Sequence, residues 1–418
     1  MHKINPMKRC ASILISLLLA AGSAPAIIFY STGDASHNTN APSGALENSG
    51  WQWQGEWNKG SAPEAQYLGT PISYHYFITA KHVAATTNNW VFRYHGETYQ
   101  AVQSYPDASS DFQLWRVDKP FDSYAPLYTN NDEDGRGCVI FGRGKIRGDE
   151  VLTDGNTNGW LWGARDNKMR WGTNKITSAT GGYLVSDFDG GGNEECTTAD
   201  KDSGGAVFIK DTAGVWRLAG INLTLDPFYF STNSAGTNYF NAACFDYRGL
   251  YYSNDKVSWT LAVGGQAKKQ ESVATRISYR YSWITNVIGG ELDQDADLLP
   301  DWWEKKYTNN ATAMSASVDI DGDGFSNLQE YTADTNPTNA LSFFAMSGFI
   351  ASTNQTVYFT GSTARQYQVF YTTNDLAATN LAWIAANTNK IWGGGTDSSI
   401  TVTNMADKAF YRLRATLP

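Results

Sequence analysis

The sequence predicts a mostly β protein: one large barrel or sandwich domain, an Asp-rich connector, and a second, smaller β module. Three observations carry this. Between Trp51 and about Gly290, short β-prone runs recur, broken by Gly, Asn and Asp, with few helical periods among them. Residues 291–339 are dense in Asp at regular spacing. From about Leu341 to Pro418 the strand pattern returns over a length that suits a small sandwich. Composition agrees, because 14% aromatic and only 17% charged residues, with plentiful Gly, Asn, Ser and Thr, suit a secreted β-rich chain. The 418 residues suggest two or three domains, and a formal net charge of −9 argues against a nucleic-acid partner.

Taken in order, the chain opens with Lys3, Lys8 and Arg9, then the apolar run Ile13 to Ala21, then the small residues Ala24-Pro25-Ala26. That is the pattern of a signal peptide over residues 1–26, and it predicts a secreted protein, extracellular or periplasmic. The run is short for a membrane span and no other run reaches spanning length, so no span is expected after signal removal. Removing 1–26 takes away three positive and no negative charges, which moves the net charge from −9 to −12. Cys10 leaves too, so Cys138, Cys196 and Cys244 remain and at most one intramolecular pair can form. Residues 27–50 are rich in Ser, Asn, Ala and Gly and are expected to be a flexible leader. The main domain, 51–290, contains the β-like runs Tyr76 to Ile78, Asn89 to Phe92, Phe112 to Val117, Cys138 to Phe141, Ala206 to Ile209 and Trp216 to Leu225. A helix is expected to close it from Val273 to Val287, with Ile277, Tyr281, Ile284 and Ile288 near helical spacing. In the connector, 291–339, Asp301 to Tyr307 and Ser326 to Ala333 read as short helices. In the final module, 340–418, Thr356 to Phe359, Tyr367 to Tyr371, Ser399 to Thr403 and Phe410 to Arg414 read as strands.

The chemistry gathers around Cys196 to Lys210. Asp202-Ser203-Gly204-Gly205 is followed at once by Ala206-Val207-Phe208-Ile209. Read alone, this is either an ordinary turn between strands or a turn that presents Ser203 as a nucleophile with its own N–H aimed at an oxyanion. A base and a carboxylate are then sought. His82 ends the apolar strand Tyr76 to Lys81 and opens a short turn, whereas His37, His75 and His95 stand in poorer contexts. Asp111 begins the alternating strand Phe112 to Val117, with Asp107, Asp118 and Asp122 as competitors.

Phe77 to Val83, Asp111 to Val117 and Asp202 to Gly205 resemble the histidine, aspartate and nucleophile segments of trypsin-like serine proteases, in that family's order. Cys138 to Gly144 resembles the strand that opens the second barrel, Trp216 to Leu223 the strand lining the substrate channel, and Ala274 to Ile284 the C-terminal helix. The resemblance spans about residues 51–290. It implies two packed six-stranded β-barrels, with His82, Asp111 and Ser203 as the triad. It implies an oxyanion hole from the N–H groups of Lys201 and Ser203, and a substrate pocket near Thr197, Thr198 and Leu225. No acidic residue stands at the expected floor, so a small or uncharged substrate side chain is expected.

This sequence departs from the family in three places. Lys201 stands where the family carries glycine. No Ile-Val-Gly-Gly-like segment lies at the family's distance before His82; Ile27-Ile28 reads as a remnant of signal removal, and the partner of Asp202 is open. Cys138 lacks its family partner, Ile209 standing in that place, while Cys196 and Cys244 are expected to bridge the two pocket walls.

Asp293, Asp295, Asp297, Asp301 and Glu304 fall at positions 1, 3, 5, 9 and 12 of a loop, as do Asp319, Asp321, Asp323, Asn327 and Glu330. This is EF-hand ligand spacing and predicts one or two structural Ca²⁺ sites, with Leu299 and Phe325 offering carbonyls. Gly324 supplies the turn of the second loop; the first has Leu298 there. The segment resembles thrombospondin type 3 and dockerin-like repeats. The final module resembles the β-sandwich appendages of bacterial exoenzymes, for which a surface or polymer partner is an expectation; Trp383 and Trp392 are expected in its core. Two functions follow: a serine endopeptidase acting on protein or peptide substrates without a catalytic cofactor, or a catalytically impaired binding or adhesion protein.

Overall fold

The computed structural model describes residues 27–58, 67–83, 90–153, 155–225, 230–231, 239–240, 242–253, 258–351, 354–374, 376, 382–387, 389–403 and 409–417. The expected signal segment 1–26 and Asn89 lie outside them. Two closed six-stranded barrels form the body. In the first, β1 (Gly55–Asn58), β2 (Tyr67–Pro71), β3 (Tyr76–Ala80), β4 (Val91–Tyr94), β5 (Glu97–Pro106) and β6 (Phe112–Val117) close in the order β1-β2-β3-β6-β5-β4. Mostly aromatic side chains fill it: Trp57, Phe77, Phe92 and Trp115 are buried beside Leu114, and the Phe77 and Phe92 rings stack at 4.1 Å. Each such side chain contributes about 1.5–3 kcal/mol by leaving water.

The second barrel comprises β7 (Gly137–Gly142), β8 (Arg170–Thr180), β9 (Tyr183–Phe188), β10 (Ala206–Lys210), β11 (Trp216–Leu225) and β12 (Gln270–Arg276), closing as β8-β9-β12-β11-β10-β7. The helix that follows, α1 (Ile277–Ile288), begins four residues later than the sequence suggests. Val273 is claimed by the sheet, pairing with Val185 on one side and Thr224 on the other, and so closes the barrel. α1 buries Ile277, Ile284 and Ile288, and its Arg280 reaches back to clamp Asp107 of the first barrel with two bonds of 2.5 Å.

Two features were not legible as strands or as ordered chain. A seven-stranded sheet is built from Lys145–Thr153, Asn156–Arg165 and the chain between β11 and β12. The stretch 27–50, expected as a flexible leader, is instead laid along the second barrel. Ile28 and Phe29 pair with Thr197 and Cys196. Arg170 donates to the Ala35 carbonyl at 2.6 Å, and the Trp171 indole N–H to the Asn40 carbonyl at 2.9 Å. Ile27, Ile28 and Phe29 are all fully buried. Composition suggested freedom here, but three apolar residues at one end and a series of carbonyls along it suffice to hold the strap.

After α1 come α2 (Asp301–Thr308) and α3 (Asn327–Ala333), the latter capped by a reciprocal Ser326–Gln329 box. The final module has a three-stranded sheet, Met346–Ala351, Asn354–Gly361 and Gly395–Thr403, and a four-stranded one around Gln366–Thr372 and Phe410–Thr416. Val357, Phe359, Tyr367, Val369, Ile400 and Val402 form their common core. Trp392 is not in that core. Ile391 and Trp392 pair with Tyr367 and Gln366, and the strand's alternation sends Trp392 outward, 55% exposed. Trp383 lies half-buried under the Arg412 guanidinium, 4.5 Å from its ring.

Candidate active site

The site forms where the two barrels meet. β3 ends at Ala80 and passes into the turn Lys81–Val83, which carries His82. β6 runs beside it with Phe112 opposite Ala80, so Asp111 falls level with this turn. The Lys81 N–H donates to the Asp111 carbonyl at 2.6 Å, fixing the two backbones. The Asp111 carboxylate then receives the His82 backbone N–H at 3.0 Å on Oδ1 and meets Nδ1 at 2.6 Å on Oδ2. The competing carboxylates have other partners: Arg280 for Asp107, the Gln100 N–H for Asp118 and His95 for Asp122.

From the second barrel, Ser203 brings its Oγ to 2.7 Å from His82 Nε2. The two glycines after it are required. Gly204 has φ +85° and passes so close to Thr79 Oγ1 and the Leu68 carbonyl that a Cβ would collide with both. Gly205 lies against the Phe141 carbonyl in the same way. Asn222 on β11 holds the turn: its carbonyl accepts the Gly204 N–H at 3.1 Å, its N–H donates to the Gly205 carbonyl at 2.8 Å, and its amide donates to the Phe141 and Asp202 carbonyls.

Lys201 takes φ +77°, the left-handed conformation that glycine would adopt freely. Among the described residues, the N–H groups of Lys201 and Ser203 donate to no acceptor. Two unpaired donors therefore stand on the turn that carries Ser203. Between them, Asp202 points inward and is 1% exposed. Its carboxylate accepts the Gly144 N–H at 2.6 Å and the Ala199 N–H at 2.7 Å, and the N–H groups of Arg143 and Ile27 also face it. Burial pushes this carboxyl up to about 7 against the opposing pull of those donors. Ile27, read from the sequence as a remnant of signal removal, is thus the end of the strap lodged against the residue next to Ser203.

Thr197 and Thr198 are buried and share one partner, the Ser272 hydroxyl of β12, at 2.8 Å and 3.2 Å. The Leu225 backbone stands opposite Ser272; its side chain lies outside the described residues. Cys196 and Cys244 do not form the expected bridge: both are free thiols, as is Cys138. Cys196 packs inside the second barrel with Cys138, whereas Cys244 packs with Val151, Tyr251 and Trp259 in the additional sheet.

The Asp-rich segment brings its predicted ligands together in two groups. Asp293, Asp295 and Asp297 place one oxygen each within 4.8 Å of one another, as do Asp319, Asp321 and Asp323. Leu298 adopts φ +81° at the position where the second loop has Gly324 at +95°, so the first loop makes its turn without glycine. Glu304 and Glu330 are buried, and each keeps one carboxylate oxygen without a partner, as do Asp295, Asp321, Asp323 and the Asn327 carbonyl oxygen. Burial pushes both glutamates up to about 7, and neighbouring carboxylates add to it. Unpaired buried oxygens facing other carboxylates are the donor set of a hard cation, and the residues fit Ca²⁺.

No protein-family model matches the sequence, and no curated protein matches it. Among solved structures, the chain is similar to neuropsin, a serine protease expressed in the limbic system of mouse brain. Identity is 17% and the TM-score 0.37, over 57% of this chain and 94% of the neuropsin chain. The architecture itself rests on the two closed barrels and the helix behind them, the arrangement that the ordered motifs implied. Four residues of the site had no sequence signal of their own: Ile27, Asn222, Ser272 and Tyr67, whose hydroxyl accepts from the Lys201 ammonium at 3.2 Å. They act through a backbone N–H, a phenol or a neutral side chain, which no motif spacing marks.

Proposed function

We propose that the chain is a secreted serine endopeptidase whose C-terminal appendage is held by calcium. The observation that carries this is the continuous line from Asp111 through His82 to the Ser203 hydroxyl, at 2.6 Å and 2.7 Å, beside two unpaired N–H groups. In this reading Ser203 Oγ attacks the scissile carbonyl, and its proton passes to His82 Nε2. Asp111 holds the Nδ1–H tautomer and stabilises the imidazolium. The oxyanion that forms on the carbonyl is met by the N–H groups of Lys201 and Ser203. His82 then delivers its proton to the leaving amine, which departs and leaves an acyl-Ser203. Water, deprotonated by His82, hydrolyses the ester and restores the serine. The triad supplies nucleophile and base, and the Lys201–Ser203 backbone the oxyanion donors, so the chemistry calls on no cofactor.

Removal of residues 1–26 belongs to the same reading. It would convert the Ile27 N–H beside Asp202 into an ammonium, a charged partner for a buried carboxylate whose donors among the described residues are backbone amides. In the appendage, Asp293, Asp295, Asp297, Asp301 and Glu304 would hold one Ca²⁺, and Asp319, Asp321, Asp323, Asn327 and Glu330 a second. When bound, the ion supplies positive charge that offsets the crowded carboxylates and joins their chain segments.

A fluorophosphonate probe tests the central reading. Wild-type protein should be labelled at Ser203, and His82→Ala should lose most of that labelling. Absence of labelling in processed wild-type protein would overturn the endopeptidase and leave a trypsin-fold binding protein.

A further inference from the structure

In a chain with a formal charge of −9, one flank of the candidate site is basic. Lys201 projects from the Ser203 turn toward the first barrel, where its ammonium donates to the Tyr67 hydroxyl at 3.2 Å and lies 5.6 Å from that ring. Asp200 is shared between Lys201, at 3.8 Å, and Lys145, at 3.4 Å. Arg143 is ion-paired with Glu56, and Arg165 donates to the Arg143 carbonyl at 3.4 Å. Partial burial, and after it the charge of Arg143, hold the Arg165 guanidinium below its ordinary range. Among these residues four cations face Asp200, Glu56 and the buried Asp202, so the flank keeps a surplus of positive charge. Lys145 and Lys201 keep 34% and 39% of their side-chain surface exposed, so both can reach a ligand.

The position of this flank gives it a meaning. On one side of Ser203 lies β11, which grips the turn through Asn222 and runs on to Leu225. The Lys201 side chain meets β2, which carries Tyr67 to it and Leu68 past Gly204. If the acyl half of a substrate lies along β11, the half beyond the scissile bond passes Tyr67 and Lys201. Resting on the endopeptidase reading, we propose that this flank selects substrates with an acidic side chain just after the scissile bond, with Lys201 and Lys145 as its specificity residues. The Lys201 side chain would then have a role beside that of its N–H, which gives a reason for a residue other than glycine at a left-handed position.

Two internally quenched peptides, identical except for Glu or Gln at the first two positions after the cleaved bond, test this. Wild-type kcat/KM should favour Glu by about fivefold at low salt, and the ratio should fall toward one at high salt. Lys201→Gln and Lys145→Gln should each lower the ratio, which is what is read rather than the absolute rate. The same peptides are also titrated by fluorescence anisotropy onto Ser203→Ala protein, where the Glu peptide should bind more tightly. Equal kcat/KM and equal binding of the two peptides would overturn the proposal, as would a preference that both lysine variants leave intact. A wild-type protein that cuts neither peptide while Ser203→Ala still prefers Glu would count against the peptidase alone.

Discussion

A serine hydroxyl is a poor nucleophile until something accepts its proton, and that acceptor must itself be oriented. At the scale of single residues, Asp111 holds His82 through two bonds rather than one, the orientation that the proposed reaction needs. Asp111→Asn should leave the fold intact and lower kcat by on the order of 10⁴-fold, because an amide can favour the wrong imidazole tautomer; steady-state kinetics on a cleaved peptide would read it. Gly204→Ala should act on stability instead. It forces a left-handed non-glycine residue and a collision with Thr79 and Leu68, and should cost about 2–4 kcal/mol in urea unfolding. These residues were legible in the sequence for physical reasons: a histidine at a strand end, an aspartate at a strand start and a glycine pair behind a serine each mark a backbone event. Lys201 was legible only as a departure. Its φ of +77° is imposed by the turn around it, which no local propensity reveals.

At the scale of elements, the strap 27–50 and the Ser203 turn form one unit. Ile28 and Phe29 add a strand beside Thr197 and Cys196, and Ile27 ends at Asp202. A protein made with extra residues ahead of Ile27 should therefore fold but show kcat/KM at least about 100-fold below the processed chain, the scale of a missing buried charge partner. Active-site titration against an authentic Ile27 start would measure this, and equal activity would contradict the role given to the amine. The strap escaped the sequence because its hold comes from carbonyls accepting distant donors such as Arg170 and Trp171. The additional sheet escaped for another reason. Runs such as Asn156–Arg165 are rich in Gly, Asn and Thr, and although one edge pairs with the adjacent Lys145–Thr153, the other pairs about 80 residues away, as Trp160 with Ala243. The barrel strands named from the sequence, such as Phe112–Val117 and Ala206–Lys210, carry dense β-prone runs and needed no such help.

At the scale of the whole molecule, the Asp-rich segment joins the two halves. The Tyr124 hydroxyl donates to Asp293 at 2.5 Å and Tyr74 to the Leu298 carbonyl, while Arg365 of the final module donates to the Tyr331 carbonyl at 2.7 Å. Calcium should therefore raise the melting temperature of the full chain, EDTA should lower it, and added Ca²⁺ should restore it; no shift would end the stabilising role. The metal-free protein carries a pH signature as well. Glu304 and Glu330 sit near 7 when folded against about 4.5 when free, so the folded state holds their protons more tightly. Their contribution is fully present below about 4.5 and is lost as pH rises through about 7. In EDTA the melting temperature should thus fall between pH 6 and pH 8, and calcium should flatten that dependence. The ligand spacing was readable because each loop is contiguous; its contacts with Tyr74 and Tyr124, more than 160 residues away, were not.

The three free thiols among the described residues bear on how such a molecule is made. Cys138, Cys196 and Cys244 are buried, and that burial pushes all three thiols up, Cys138 to about 12. Thiolate is then scarce in the folded state, and exchange reactions have nothing to start from. Maturation need not wait on an oxidant or an isomerase, so refolding rates with and without dithiothreitol should coincide. In the chain without residues 1–26, a single cysteine introduced on the exposed face of the final module would be the one position that takes a maleimide label.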